Sequence, residues 1–184
     1  MWAPRRALTQ WTFTFLASLQ VAAASAASIT QLNTVSTGGQ ISPSVVALPD
    51  NQFALAYADR SGNDGFKGGI FGGIYNARLE PVRTCQINTL TLSWETRPQL
   101  AAAANGTFMA IWRLDNGWVE GQRFDAQCNK LGDQFTVEPG FAGEAGITAD
   151  AEGNFWVVGS HGQKGLLNKY SVDGEHLIDS QVFY

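Results

Sequence analysis

The sequence predicts an all-β domain: three four-stranded antiparallel units preceded by one extra strand. Three observations carry this. Phenylalanines at 53, 108 and 155 each lie ten residues after a strand-opening position, namely Pro43, Pro98 and Ala145. A second aromatic set, Tyr75, Phe124 and Tyr170, is followed seven residues later by Val82, Leu131 and Leu177. No apolar stripe of helical period survives beyond the N-terminal segment, whereas two-residue alternation recurs, as expected of half-buried strands.

In the first unit, "PSVVAL" reads as strand one, and "PDNQ" as the turn into "FALAYA". There Phe53, Leu55 and Tyr57 share one face and Ala54, Ala56 and Ala58 the other. "GGIYNA" and the residues after Leu79 form strands three and four around "NARLEP". The second unit repeats this with "PQLAAA", "GTFMAIW" (Phe108, Ala110 and Trp112 on one face) and "GQRFDAQCNKLGDQFTV". The third uses "AGITAD", "GNFWVVGSH" and "NKYSVDGEH". The Asn, Asp and Gly residues of the intervening turns suit reversing backbone. The units span about 38–92, 93–139 and 140–184. Ahead of them, "ITQLNTVSTGG" is similar to the fourth strands "TCQINTLT" and "QFTVEPG", and reads as the extra N-terminal strand.

The stretch "VEGQRFDAQCNKLGDQFTVE" resembles a β-strand repeat found in tandem in secreted bacterial proteins and large adhesin-like chains. That repeat runs near P-x-V-A-A-L-x-D-G-x-F-V-V-x-W, then G-Q-R-F-D-A-x-G-x-x-L-G-x-E-F-x-V-N. The resemblance covers about residues 29–184 and implies blades of a β-propeller-like array. Unit two matches best, and unit one keeps Pro43, Asp50, Phe53, Tyr57 and Asp64-Gly65. Unit three departs most, with Gly159 where Tyr57 and Trp112 stand. Propellers close with four to eight blades, because an open array leaves strand edges unpaired. Three units therefore imply either a shorter closed or capped assembly, or a homodimer of six blades.

The N-terminus reads as a cleaved signal peptide over residues 1–27. Arg5 and Arg6 precede a short apolar core, and "ASA" at Ala24–Ala26 offers small residues at the cleavage point. Thr12, Thr14, Ser18 and Gln20 interrupt the apolar run, which falls short of the ~20 residues of a membrane-spanning helix. Residues 28–184 form one domain, with ten basic against sixteen acidic residues and a net charge of −6. An acidic surface without a basic cluster excludes nucleic acid and anionic membrane as partners. In an exported chain, Cys85 and Cys128 are expected to form one disulfide.

Motifs of catalysis are sparse. "VGSHG" at 158–162 has valine where a nucleophile elbow needs glycine, and leads into no helix. His161 and His176 fall at turns in this reading, and carboxylate pairs of the kind glycoside hydrolysis uses meet in space rather than in sequence. Two binding constellations stand out. Asp59, Asn63 and Asp64 place three oxygen-bearing side chains around glycines, chemistry suited to a hard cation such as calcium, though without EF-hand spacing. Among the aromatic residues Tyr57, Trp94, Trp112 and Trp118, Trp118 follows a "DNG" turn, and with Asp115 and Asn116 it offers a ring face and oxygens to a sugar. Asn105 opens an N-glycosylation sequon in a turn. The expectation is a secreted binding or adhesion module, without catalysis, whose loops take an extracellular glycan. The alternatives are an extracellular carbohydrate-active enzyme and a cation-stabilised spacer.

Overall fold

A computed structural model describes residues 30–33, 37–62, 68–90, 93–137 and 144–183. The signal segment, together with Asn63 and Asp64 of the cation constellation, lies outside the described residues. Among the described residues, twelve strands form three antiparallel sheets in which chain neighbours pair in order. The first sheet holds β1 (Gln40–Leu48), β2 (Gln52–Asp59), β3 (Gly69–Asn76) and β4 (Pro81–Gln86). The second holds β5 (Thr96–Ala102), β6 (Phe108–Arg113), β7 (Val119–Phe124) and β8 (Lys130–Thr136). The third holds β9 (Ala145–Ala149), β10 (Phe155–His161), β11 (Lys164–Tyr170) and β12 (His176–Phe183). Among the described residues there is no helix, hence none long and apolar enough to cross a membrane. His161 and His176 lie within β10 and β12, not in turns, and His176 stacks on Tyr170 with ring centroids 4.7 Å apart.

The sheets stack as blades, with β1, β5 and β9 innermost, in an array that is propeller-like but not closed. Strand alternation sets how they stack. In β2, Ala54, Ala56 and Ala58 are fully buried and, with Ile70 and Ile74 across the ladder, face the second blade. The second blade answers with Phe108, Ala110, Trp112 and Phe124, so large rings fill space left by small side chains. Its opposite face, Met109 and Ile111 with Val119, packs on Phe155, Val157, Leu166 and Tyr170 of the third blade. The phenylalanines at 108 and 155 thus point toward the preceding blade, which is why they recur at one repeat position. Val82 and Leu177, the aliphatics seven residues past the second aromatics, face solvent from the outermost strands.

One turn design recurs at 76–80, 103–107, 114–118, 125–129, 150–154 and 171–175. In each, the first residue's amide donates to the fifth residue's carbonyl, and the fourth residue's amide donates back to the first residue's carbonyl. The fourth residue takes a left-handed conformation, the three-residue hairpin geometry that glycine favours. It is glycine at 106, 117, 153 and 174, but Leu79 and Cys128 hold it with φ 65°. At the turns of the third and fourth strands, Asn76, Asp125 and Ser171 each accept from the amide four residues on with a side-chain oxygen.

Two of these turns make the fold acid-sensitive. Burial pushes the Asp150 carboxyl up, but donation from Trp156 Nε1, from the Asn154 side chain and amide, and from Lys169 outweighs it. The group is held well below the usual carboxylate range. Asp125 is lowered in the same way: burial raises it, and the Asn129 side chain with the Asn129 and Gln127 amides overcomes that. A carboxyl titrating lower in the folded than in the unfolded chain contributes stability fully above the unfolded value of ~4. That contribution is lost as pH falls through the lowered value. Thermal melts from neutral to acid pH should therefore show a falling midpoint below about pH 4, with a shallower fall in Asp150→Asn. An equally steep acid limb in that variant would mean that the turn does not favour the ionised form.

Of the extra N-terminal strand, residues 30–33 and 37–39 are described. They join no ladder but lie against the first blade, where the Tyr75 hydroxyl donates to the Leu32 carbonyl at 3.0 Å. The expected disulfide is present: Cys85, at the end of β4, is bonded to Cys128 in the turn after β7. It ties the outer edge of the first blade to the second.

Candidate functional site

The rim where the first and second blades meet brings aromatic, acidic and basic side chains together around an open cavity. Three segments build it. The connection from β4 to β5 carries Ser93 and Trp94, the end of β6 and its turn carry Arg113, Leu114 and Asp115, and Arg60 follows β2. Trp94, Thr96, Arg113, Leu114 and Asp115 line an open cavity of about 340 Å³. The Trp94 indole is 37% exposed, and the Arg60 guanidinium lies over it, 5.5 Å from the ring centroid. Ser93 Oγ donates to Asp115 Oδ1, fixing the carboxylate at the mouth. Arg113 Nε is buried and has no acceptor among the described residues.

Beside this cavity a pocket of about 20 Å³ is lined by Arg97, Trp112, Arg113 and Glu144, among others, with Arg97 ion-paired to Glu144. It has room for about one water molecule. Trp112 Nε1 is likewise buried without an acceptor among the described residues.

The geometry divides the sugar constellation. Asp115 lines the cavity, but Trp118, 51% exposed, does not. Asn116 Oδ1 accepts from the Trp118 amide at 3.0 Å, as Asn105 Oδ1 does from Thr107 in the corresponding turn. Asn116 is thus a turn-forming residue, and the shared "NG" of the two turns is the signal for it. Trp94 is the aromatic residue that stands beside Asp115; nothing local in "TLSWET" marks it, because the pairing joins two connections twenty-one residues apart.

Asp59 sits elsewhere in character. It is buried at the end of β2, where Oδ1 accepts from the Ser61 amide at 2.8 Å and from Gln40 Nε2 at 3.3 Å. It lines a separate cavity of about 310 Å³ with Leu32, Tyr57, Phe71 and Tyr75 on the free side of the first blade. Burial pushes the Tyr57 hydroxyl up, with Tyr75 and Asp59 adding to the shift, so it stays protonated near neutral pH. Among the described residues no three His, Cys, Asp or Glu side chains gather as a metal-binding group.

No family model and no curated protein matches the chain. Solved structures do resemble it. An α-L-arabinofuranosidase of Fusarium graminearum, in complex with arabinobiose, is 14% identical with a TM-score of 0.52 over 76% of this chain and 44% of that one. An α-L-arabinanase of Penicillium chrysogenum, also complexed with arabinobiose, is 12% identical with a TM-score of 0.50 over 73% of this chain and 43% of that one. At these identities the likeness is one of fold, that of β-propeller glycosidases. The chain spans less than half the length of either.

Proposed function

We propose that this protein is an extracellular carbohydrate-binding module that holds an oligosaccharide on the rim between its first and second blades. The observation that carries the reading is Trp94, a half-exposed indole walling a 340 Å³ cavity with the Asp115 carboxylate, the Thr96 hydroxyl and the Arg113 guanidinium. A ring face takes the apolar side of a sugar, and the oxygens and guanidinium take its hydroxyls. The structurally similar enzymes were solved with arabinobiose, which makes short arabino-oligosaccharides the first ligands to try. The disulfide supports an oxidising destination outside the cytoplasm. An adhesin-like setting, as the repeat resemblance implies, fits a module that retains a glycan without turning it over.

Titration calorimetry with arabinobiose and longer arabinan fragments tests this. Saturable binding is expected, weakened about tenfold or more in Trp94→Ala through loss of the stacking face. Trp118→Ala, outside the cavity, should change affinity much less. Product accumulating during the titration would replace the binding module with an enzyme. Equal affinity in wild type and Trp94→Ala would move the site elsewhere.

A further inference from the structure

Each blade has a preceding face and a following face, and equivalent positions can be compared across the three. On the preceding face, Val45, Leu100 and Ile147 are equivalent, pairing with Leu55, Ala110 and Val157. Leu100 is 8% exposed beneath the first blade and Ile147 packs against the second, but Val45 is 63% exposed. Likewise Phe108 and Phe155 are fully buried, while their equivalent Phe53, with Leu55 and Tyr57 beside it, is only half-buried. On the following face, Ala56, Ile111 and Val158 are equivalent. The first two are 0% and 1% exposed, and Val158 is 41% exposed beside Trp156 and Leu167. The array therefore ends in two different faces with exposed apolar side chains, each of the kind that its equivalents bury against a blade; the third blade's also carries Lys169 over the Trp156 ring.

We propose that a second copy of this chain covers both, the third blade of each copy packing on the first blade of the other. Such a head-to-tail contact either closes or propagates. Two copies make six blades, inside the four-to-eight range in which propellers close, whereas three make nine. The chain covers 43–44% of two structurally similar enzymes, so two copies approach the size of one such fold. Residues 30–33 take up the outer part of this face, where the Leu32 carbonyl accepts from the Tyr75 hydroxyl and Leu32 lines a cavity with Tyr57 and Phe71. Val45, 63% exposed on the innermost strand, stays open to the second copy.

The internal interface also predicts the register. Leu100 N donates to Ser44 Oγ at 3.1 Å across the first two blades. By repeat position, Leu100 corresponds to Val45 and Ser44 to Gly146, so Val45 of one copy should sit beside Gly146 of the other. A Cβ at Gly146 meets nothing nearer than Val158 Cγ1 at 3.7 Å, so a cysteine fits there.

The 184-residue chain should show twice its own mass by light scattering at micromolar concentration. Val158→Asp should halve that mass while keeping the cooperative melt. Val45→Cys combined with Gly146→Cys should form a covalent dimer under mild oxidation, with neither single variant crosslinking. A monomer mass in the wild type, a ladder of longer oligomers, or crosslinking by Val45→Cys alone would each overturn the closed two-copy ring.

Discussion

Phe108→Ala should lower the unfolding free energy by about 3–5 kcal/mol, read from urea denaturation, the usual cost of emptying a fully buried aromatic site. Phe108 is 1% exposed, its ring stacks on Phe124 with centroids 5.0 Å apart, and it fills the space above the alanine face of the first blade. The neighbours cannot collapse into the void. Ala54, Ala56 and Ala58 have no atoms to spare, and the ladder on either side pins the backbone. Phe53→Ala is the matching control. It holds the same repeat position and also stacks on an aromatic ring, that of Tyr75 at 5.5 Å, but it is half-buried in the single chain. Its cost should be about half as large in a monomer, and should approach that of Phe108→Ala when a second copy covers it. Similar costs for the two substitutions in a chain shown to be monomeric would refute the assignment of preceding faces.

Removing the crosslink has the next largest consequence. The double variant Cys85→Ser/Cys128→Ser should lose about 2–4 kcal/mol, because the bond closes a loop of 43 residues in the unfolded chain. For a domain of this size that is a fall in midpoint of roughly 5–15 °C. The double substitution avoids leaving one thiol half-buried with a new partner to find. The loss should be the same for wild type held in reductant. A midpoint unmoved by either treatment would mean that packing between the first two blades already supplies the constraint. The bond joins the outermost strand of one blade to a turn of the next, where both cysteines pack on the apolar cluster between the two blades.

Strand content and repeat phase were legible in the residues because both are local. Alternation over "FALAYA" and "FMAIW" needs only a period of two, and the offsets of ten and seven need only counting. The turns were equally readable, since an Asn or Asp accepting amides two to four residues on, followed by a residue in left-handed backbone, is decided within five positions. The disulfide followed from there being only two cysteines in a chain that reads as exported. What the order of residues left open was every relation between units. It could place Phe53, Leu55 and Tyr57 on one face, but not say that this face points away from the second blade. It proposed Trp118 with Asp115 and Asn116 because they are adjacent in the chain. In the folded protein Asn116 is consumed by its turn, and Asp115 faces Trp94, twenty-one residues earlier and on another connection. Local hydrogen bonds and strand periodicity act over a few residues and are written in the sequence. Which faces meet, which stay open and which side chains share a cavity depend on how whole sheets pack, and that is settled only when the blades stack.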